Sequence, residues 1–182
     1  VEVAHHDERH RRSRDLLTDA VAVIGSPSTH ADWPRPEPRL SYANAALPEA
    51  LIAAGEVLER PDVIDDGLHL LRWLLDRETL DGHLSPTPVG GAGPGDAAGR
   101  FEQQPIEIAA LADACHRAHV VTGDDQWQHG VDLAIVGRLA TELEPALEEH
   151  PQARGADRVA EGLEATVGVD RKAPADLGFP VG

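Results

Sequence analysis

Two short stretches hold the side-chain types from which a binding or reaction site is built. Arg100-Phe101-Glu102-Gln103-Gln104-Pro105-Ile106-Glu107 gathers an aromatic ring, two carboxylates and two primary amides. Asp81-Gly82-His83-Leu84-Ser85-Pro86 adds a carboxylate, an imidazole and a hydroxyl. Planar amides and carboxylates match the paired donors and acceptors of sugar hydroxyls, and an aromatic ring suits the flat apolar face of a pyranose. Pro105 fits the first turn of a helix, where its missing N–H costs nothing, and Glu107 then sits at the positive end of that helix. Phe101, Glu102, Gln103 and Gln104 therefore crowd a helix entrance behind a loop rich in glycine and proline. The imidazole of His83 is a side-chain type suited to proton transfer. Glu102 and Glu107 are carboxylates of the kind that glycoside hydrolysis uses in pairs across the scissile bond. Their closeness along the chain does not set them across a cleft, so binding is expected rather than hydrolysis.

A second cluster, Tyr42, Asn44 and Glu49, lies at an earlier helix entrance. It has two readings, hydrogen bonding and stacking to a sugar, or helix capping beside a partly buried tyrosine. Asp113, His116 and His119 have helical spacing that can hold a metal. Such pairs in an acidic protein are ordinarily solvated, and no metal site is expected. His5, His6 and His10 read as a flexible terminal group. Trp73 and Trp127 read as core, and Cys115 as a small buried apolar residue that rules out an internal disulfide.

Helices must position these groups. Apolar spacing predicts helices over 42–58, 63–77, 105–121 and 125–139. Pro48 requires the first of them to start near Ala46 or to kink. Asp62 is the N-cap candidate of the second, after the turn Arg60-Pro61. Pro86, Pro88, Gly90, Gly91, Gly93, Pro94, Gly95 and Gly99 predict a loop without regular structure over 78–99. No segment alternates with period two, so no strands are expected. The four helices form two pairs: Gly67-Leu68 aligns with Gly130-Val131, and Pro48-Glu49 and Pro105-Ile106-Glu107 open the leading helices. A unit repeating at about 60 residues predicts stacked hairpins rather than a closed bundle. A further helix is predicted over 15–24, and a weakly amphipathic one over 156–167.

Composition narrows the partners. Apolar residues make up 41% of the 182 and aromatics 3%, which calls for an aliphatic core. A net charge of −16, with one lysine against fifteen arginines, argues against nucleic acid or an anionic membrane. Neutral sugars are the expected ligands. No apolar run reaches the ~20 residues that span a bilayer, and the His- and Arg-rich start lacks a secretory pattern. A cytoplasmic location is expected. No nucleotide-binding fingerprint occurs, and no cofactor is expected. The chain begins at Val1 and contains no methionine, as expected of a piece of a longer gene product.

Trp33-Pro34, Arg39-Leu40-Ser41-Tyr42-Ala43-Asn44-Ala45, Leu47-Pro48-Glu49-Ala50-Leu51, Asp81-Gly82-His83-Leu84-Ser85-Pro86 and Phe101-Glu102-Gln103-Gln104-Pro105-Ile106-Glu107 together resemble the six-hairpin (α/α) toroid region of bacterial glycosyltransferase-associated proteins. The resemblance covers roughly 33–140. It implies an all-α fold of helical hairpins forming part of an (α/α) toroid, and a carbohydrate-related role beside a glycosyltransferase domain on another segment. The pocket would be lined by Trp33, Tyr42, Asn44, Glu49, Asp81, His83, Phe101, Gln103, Gln104 and Glu107, with His83, Glu102 and Glu107 the candidates for catalysis. Sugar isomerase-, epimerase- or glycosidase-like chemistry and a non-catalytic scaffold remain the alternatives. The chain departs from the family pattern in the Gly/Ala/Pro run 89–99 and after Leu139. The expected division is a basic, His-rich segment with one helix (1–32), two hairpin repeats (33–140) and an acidic, weakly ordered tail (141–182). With two hairpins present, exposed apolar faces predict self-association.

Overall fold

Proline and glycine punctuation sets the helix limits. The computed structural model describes residues 2–30, 32–96 and 103–149, with side chains over 10–30, 32–96 and 103–137. Among the described residues there are five helices, α1 (Glu2–Ile24), α2 (Ala46–Leu58), α3 (Pro61–Arg77), α4 (Pro105–Thr122) and α5 (Asp125–Glu149). Pro61 and Pro105 stand in the first turns of α3 and α4, where no N–H is needed. Pro48 also falls in a first turn, so α2 begins at Ala46 without a kink. The N-cap of α3 is Arg60, not the expected Asp62: with Pro61 already helical, Asp62 lies inside the helix and pairs with the Arg60 guanidinium. Helix α1 begins well before the expected residue 15, and α5 continues past 139. The helix expected over 156–167 lies outside the described residues.

Strands, none of which were expected, occur in the glycine- and proline-rich connection. Thr79–Leu80 (β1) pairs antiparallel with His83–Leu84 (β2). Asp81 and Gly82 both have positive φ, 53° and 80°, as a two-residue type I′ hairpin turn requires. Each strand has two residues, too few to show any alternation in sequence. Single bridges join Leu40 to Ala92 and Pro88 to Gln103. The glycine-rich stretch is further held by Arg39, which donates to Gly90 O at 3.1 Å, and by Arg77, which donates to Gly93 O and Asp96 O at 3.2 and 3.1 Å.

Helices α2 and α3 form one hairpin, α4 and α5 another, and α2 packs against α4. Residues near the start of α4 meet the chain just before α2, and Arg117, further along α4, meets Glu49 and Glu56 of α2. The leading helices of the two hairpins therefore run in the same direction. Leu40, Ile52, Leu71, Leu74, Leu111, Ala114, Cys115, Ala118 and Trp127 form the core that joins the hairpins. Gly67 and Gly130 play matching parts. A Cβ on Gly67 would meet Ile52, and a Cβ on Gly130 would meet Cys115 at the equivalent place in the second hairpin. In each case a trailing helix approaches its leader at a position where hydrogen is the largest side chain that fits. Helix α1 runs antiparallel to α2: Val21 and Ile24 pack beside Leu51, Val63 and Leu70, while Arg14 donates to the α2 carbonyls of Val57 and Leu58. A guanidinium at those last carbonyls complements the negative end of the helix.

Candidate functional site

Because α2 and α4 are parallel, their entrances lie at one end, and the residues there bond to each other. Glu107 is 2% exposed and Asn44 fully buried. The Glu107 carboxylate accepts the Ala43 N–H at 2.5 Å, the Asn44 N–H at 3.0 Å and the Asn44 side-chain amide at 3.0 Å. Asn44 in turn accepts the Ser41 N–H at 2.9 Å on its side-chain oxygen. Ala43 has φ 47°, a left-handed conformation costing a non-glycine residue roughly 1–2 kcal/mol. The bond from its N–H to Glu107 holds it there. Three N–H groups converging on two oxygens are the donor set of a carboxylate.

Beside this junction stands a second buried acid. Glu78, 2% exposed, ends α3 and accepts the Thr87 N–H at 3.0 Å and the Thr87 hydroxyl at 2.6 Å. Its backbone oxygen accepts the Ser85 N–H at 2.6 Å. Burial, more than any other influence, raises its pKa to about 7. The two Thr87 bonds and Arg77 act in the opposite sense, and the Glu107 charge adds to the rise. Arg35 supplies the nearby cation. Its Nη1 donates to Asn44 O at 2.9 Å, and its Nε lies 2.9 Å from Glu37 Oε2, off the hydrogen-bonding direction. Burial lowers the Arg35 pKa, against the pull of Glu37, Glu107 and Glu78.

A pH dependence follows. The Glu78 carboxyl in the folded chain titrates near 7, above its ordinary 4.5. The folded state therefore keeps a proton that the unfolded state has lost between those values, and stability falls as pH rises across them. The stabilisation is complete below 4.5 and gone above about 7. Denaturant titrations at pH 4.5 and 7.5 should differ by ~2–3 kcal/mol in this sense, and Glu78→Gln should remove that part of the difference. Asp76, raised by partial burial against Arg72, acts in the same direction, while exposed Asp62, held low by its bond to Arg60, acts oppositely. An unchanged slope in Glu78→Gln would put the proton elsewhere.

The other expected site residues divide. Gln103 and Ser85 are brought together, with Gln103 Nε2 donating to Ser85 Oγ at 3.0 Å, both half-buried. Gln104 is the N-cap of α4 and makes no side-chain cap bond. Tyr42 is 64% exposed, not the partly buried tyrosine of the second reading, and the N-cap of α2 is Ala45, with no side-chain cap bond. His83 and Asp81 are exposed on the β1–β2 hairpin. Two residues lie elsewhere. Trp33 packs edge-on against Trp73, ring centroids 5.1 Å apart, with the Arg77 guanidinium 5.2 Å from its centre, and its indole N–H donates to Glu37 O at 2.7 Å. Glu49 pairs with Arg117 at 3.2 Å in a groove of about 390 Å³ between α2 and α4, which Glu56, Asp113 and His116 also line. Phe101 and Glu102 lie outside the described residues. Trp127 is buried, as is Cys115.

Glu78, Thr87 and Arg35 were not singled out from sequence. One local signal was present at Glu78: a carboxylate at a helix C-terminus opposes the helix dipole, a misfit that points to a partner elsewhere. Among the described residues, no group of three or more His, Cys, Asp or Glu is arranged to hold a metal ion. Nor is any helix among them long and apolar enough to cross a membrane. Comparison of the chain with protein-family models, with curated proteins and with solved structures finds no match.

Proposed function

We propose that this chain is a carbohydrate-binding module, part of an (α/α) toroid that works beside a glycosyltransferase domain on another segment. The observation that carries the reading is the meeting of two helix entrances at one end, fastened by Asn44 and Glu107, with the Ser85–Gln103 hydroxyl–amide pair half-buried beside them. A hydroxyl and two amides offer both donors and acceptors to sugar hydroxyls. Tyr42, next to the Ala43 N–H bound by Glu107, presents an exposed ring to an apolar sugar face. Asn44 and Glu107 set the framework in this reading, and Tyr42, Ser85, Gln103, Gln104 and His83 form the rim that contacts ligand.

The test is thermal unfolding of the chain across a panel of neutral mono- and disaccharides, with Tyr42→Ala and Gln104→Ala alongside. Neither variant touches the buried junction. A saccharide at a hundred times its dissociation constant should raise the melting temperature by about 5–10 °C, and each variant should remove the rise. A cooperative transition indifferent to every sugar would refute the binding reading and leave a helical scaffold.

A further inference from the structure

Helix α1 is longer than the surface it packs on. Val21 and Ile24 lie beside Leu51, Val63 and Leu70 of the first hairpin, and Arg14 reaches the carbonyls of Val57 and Leu58 at the end of α2. Because α1 runs antiparallel to α2, residues 2–13 continue past that end as an arm of roughly 18 Å. His10, Arg11 and Arg12 are exposed on the arm. In a chain of net charge −16, a basic run of this kind finds its complement in the acidic surface of another copy. The groove between α2 and α4 offers that surface. Glu49, Glu56 and Asp113 line it with Arg117 and His116, and Val120 and Val121 supply an apolar wall, around a volume of about 390 Å³. Glu49 and Glu56 already hold the Arg117 guanidinium, at 3.2 and 3.9 Å. The Asp113 carboxylate has no partner among the described residues. Further guanidinium groups suit this groove: the carboxylates accept their N–H donors, and the valines cover their aliphatic stems.

We propose that the chain pairs with a second copy about a two-fold axis, each basic arm lying across the α2–α4 groove of the other. Arg11 and Arg12 of one copy reach Glu56 and Asp113 of the second copy, whose arm does the same in return. The arm does not fill its own groove, because an unbroken α-helix fixed along α2 leads it past the end of that helix and away. The volume suits side chains projecting from a helix laid across the groove, not the helix itself. The contact is made of charges, in contrast to association through exposed apolar faces. It involves neither Tyr42 nor the Ser85–Gln103 pair, so it stands apart from the sugar-binding reading.

Sedimentation equilibrium of the whole chain at about 0.15 M salt tests this. A Debye length of about 8 Å there screens the net charges of two copies but not charges in contact. The native chain should dimerise. Arg11→Glu with Arg12→Glu should weaken the dimer at least about tenfold, and Glu56→Lys with Asp113→Lys should do the same. The groove variant carries less net negative charge than the native chain, so its weakening reports the contact and not a general repulsion. An equimolar mixture of the two variants is the decisive sample. Each variant alone sets like charges together, whereas in the mixed pair both arms meet grooves of opposite sign, so dimers should return. A monomeric native chain, a dimer unchanged in either variant, or a mixture that stays monomeric would each overturn the proposal. A monomer whose arm instead binds a polyanion such as heparin would overturn it too, placing the arm on another partner. Should the groove variant not fold, the exposed arm variant decides alone: loss of the dimer supports the pairing, and its persistence refutes it.

Discussion

Replacing Glu107 by alanine should cost ~3–5 kcal/mol of folding stability, measured as a shift of the denaturant midpoint at unchanged slope. The substitution strands three donors, the half-buried N–H of Ala43 and the buried N–H and side-chain amide of Asn44. Each unsatisfied buried donor costs about 1–3 kcal/mol. Relaxation of Ala43 from its left-handed backbone returns about 1 kcal/mol. Removing the anion also leaves Arg35, which feels Glu107, with less compensation. Against a typical total stability of 5–15 kcal/mol, the loss is large. Glu107→Gln should cost less, since one oxygen still accepts, although its NH₂ then faces N–H donors. A double-mutant cycle with Asn44→Ala should give a coupling of at least ~1 kcal/mol. A loss below ~1 kcal/mol in Glu107→Ala would mean that the two entrances are held together by the apolar core and not by this carboxylate.

The second large effect is expected at Gly67. A Cβ there would lie 2.7 Å from Ile52 Cγ1, 2.9 Å from Pro48 O and 3.0 Å from Ile52 N. Two of these are backbone atoms of α2, which cannot turn aside as a side chain can. Gly67→Ala should therefore force α3 away from α2 and cost ~3–4 kcal/mol, at or beyond the upper end of ordinary overpacking, despite the ~1 kcal/mol that alanine gains within a helix. Gly130 provides the control. Its added Cβ would meet Cys115 Sγ at 2.6 Å and Leu75 Cδ2 at 3.2 Å, both side-chain atoms. Gly130→Ala should cost ~1–2 kcal/mol. Equal costs at the two sites, read from paired denaturant curves, would defeat the argument from backbone contact.

What could be read from sequence was local. Pro105 marked a helix start correctly, and the aligned Gly67 and Gly130 serve the same kind of close approach. The Asp81-Gly82 turn was also written in the sequence. Two-residue strands carry no alternation to accompany it, and the nearby prolines and glycines argue for a plain loop. The site was harder to read, since its bonds span the chain. Glu107 reads as a first-turn carboxylate lining a pocket, and nothing near it in sequence says that its partner is Asn44, 63 residues away. Glu78 follows the polar Arg77 and reads as surface, yet a turn formed by 79–84 brings Thr87 back over it. Tyr42 shows the converse: of its two readings, ligand stacking or partial burial, it is the ring exposed to water that is found, while the neighbouring Ala43 and Asn44 turn inward toward Glu107.

The bond between Asn44 and Glu107 also fixes the symmetry of the stack. One hairpin contributes amide donors and its neighbour a carboxylate, so the seam joins unlike surfaces of like units. Such a contact is heterologous: repeated by rotation it builds a closed ring, and repeated with any translation a helical filament. Across this seam the two hairpins therefore have a direction, with the donors on the first and the acceptor on the second.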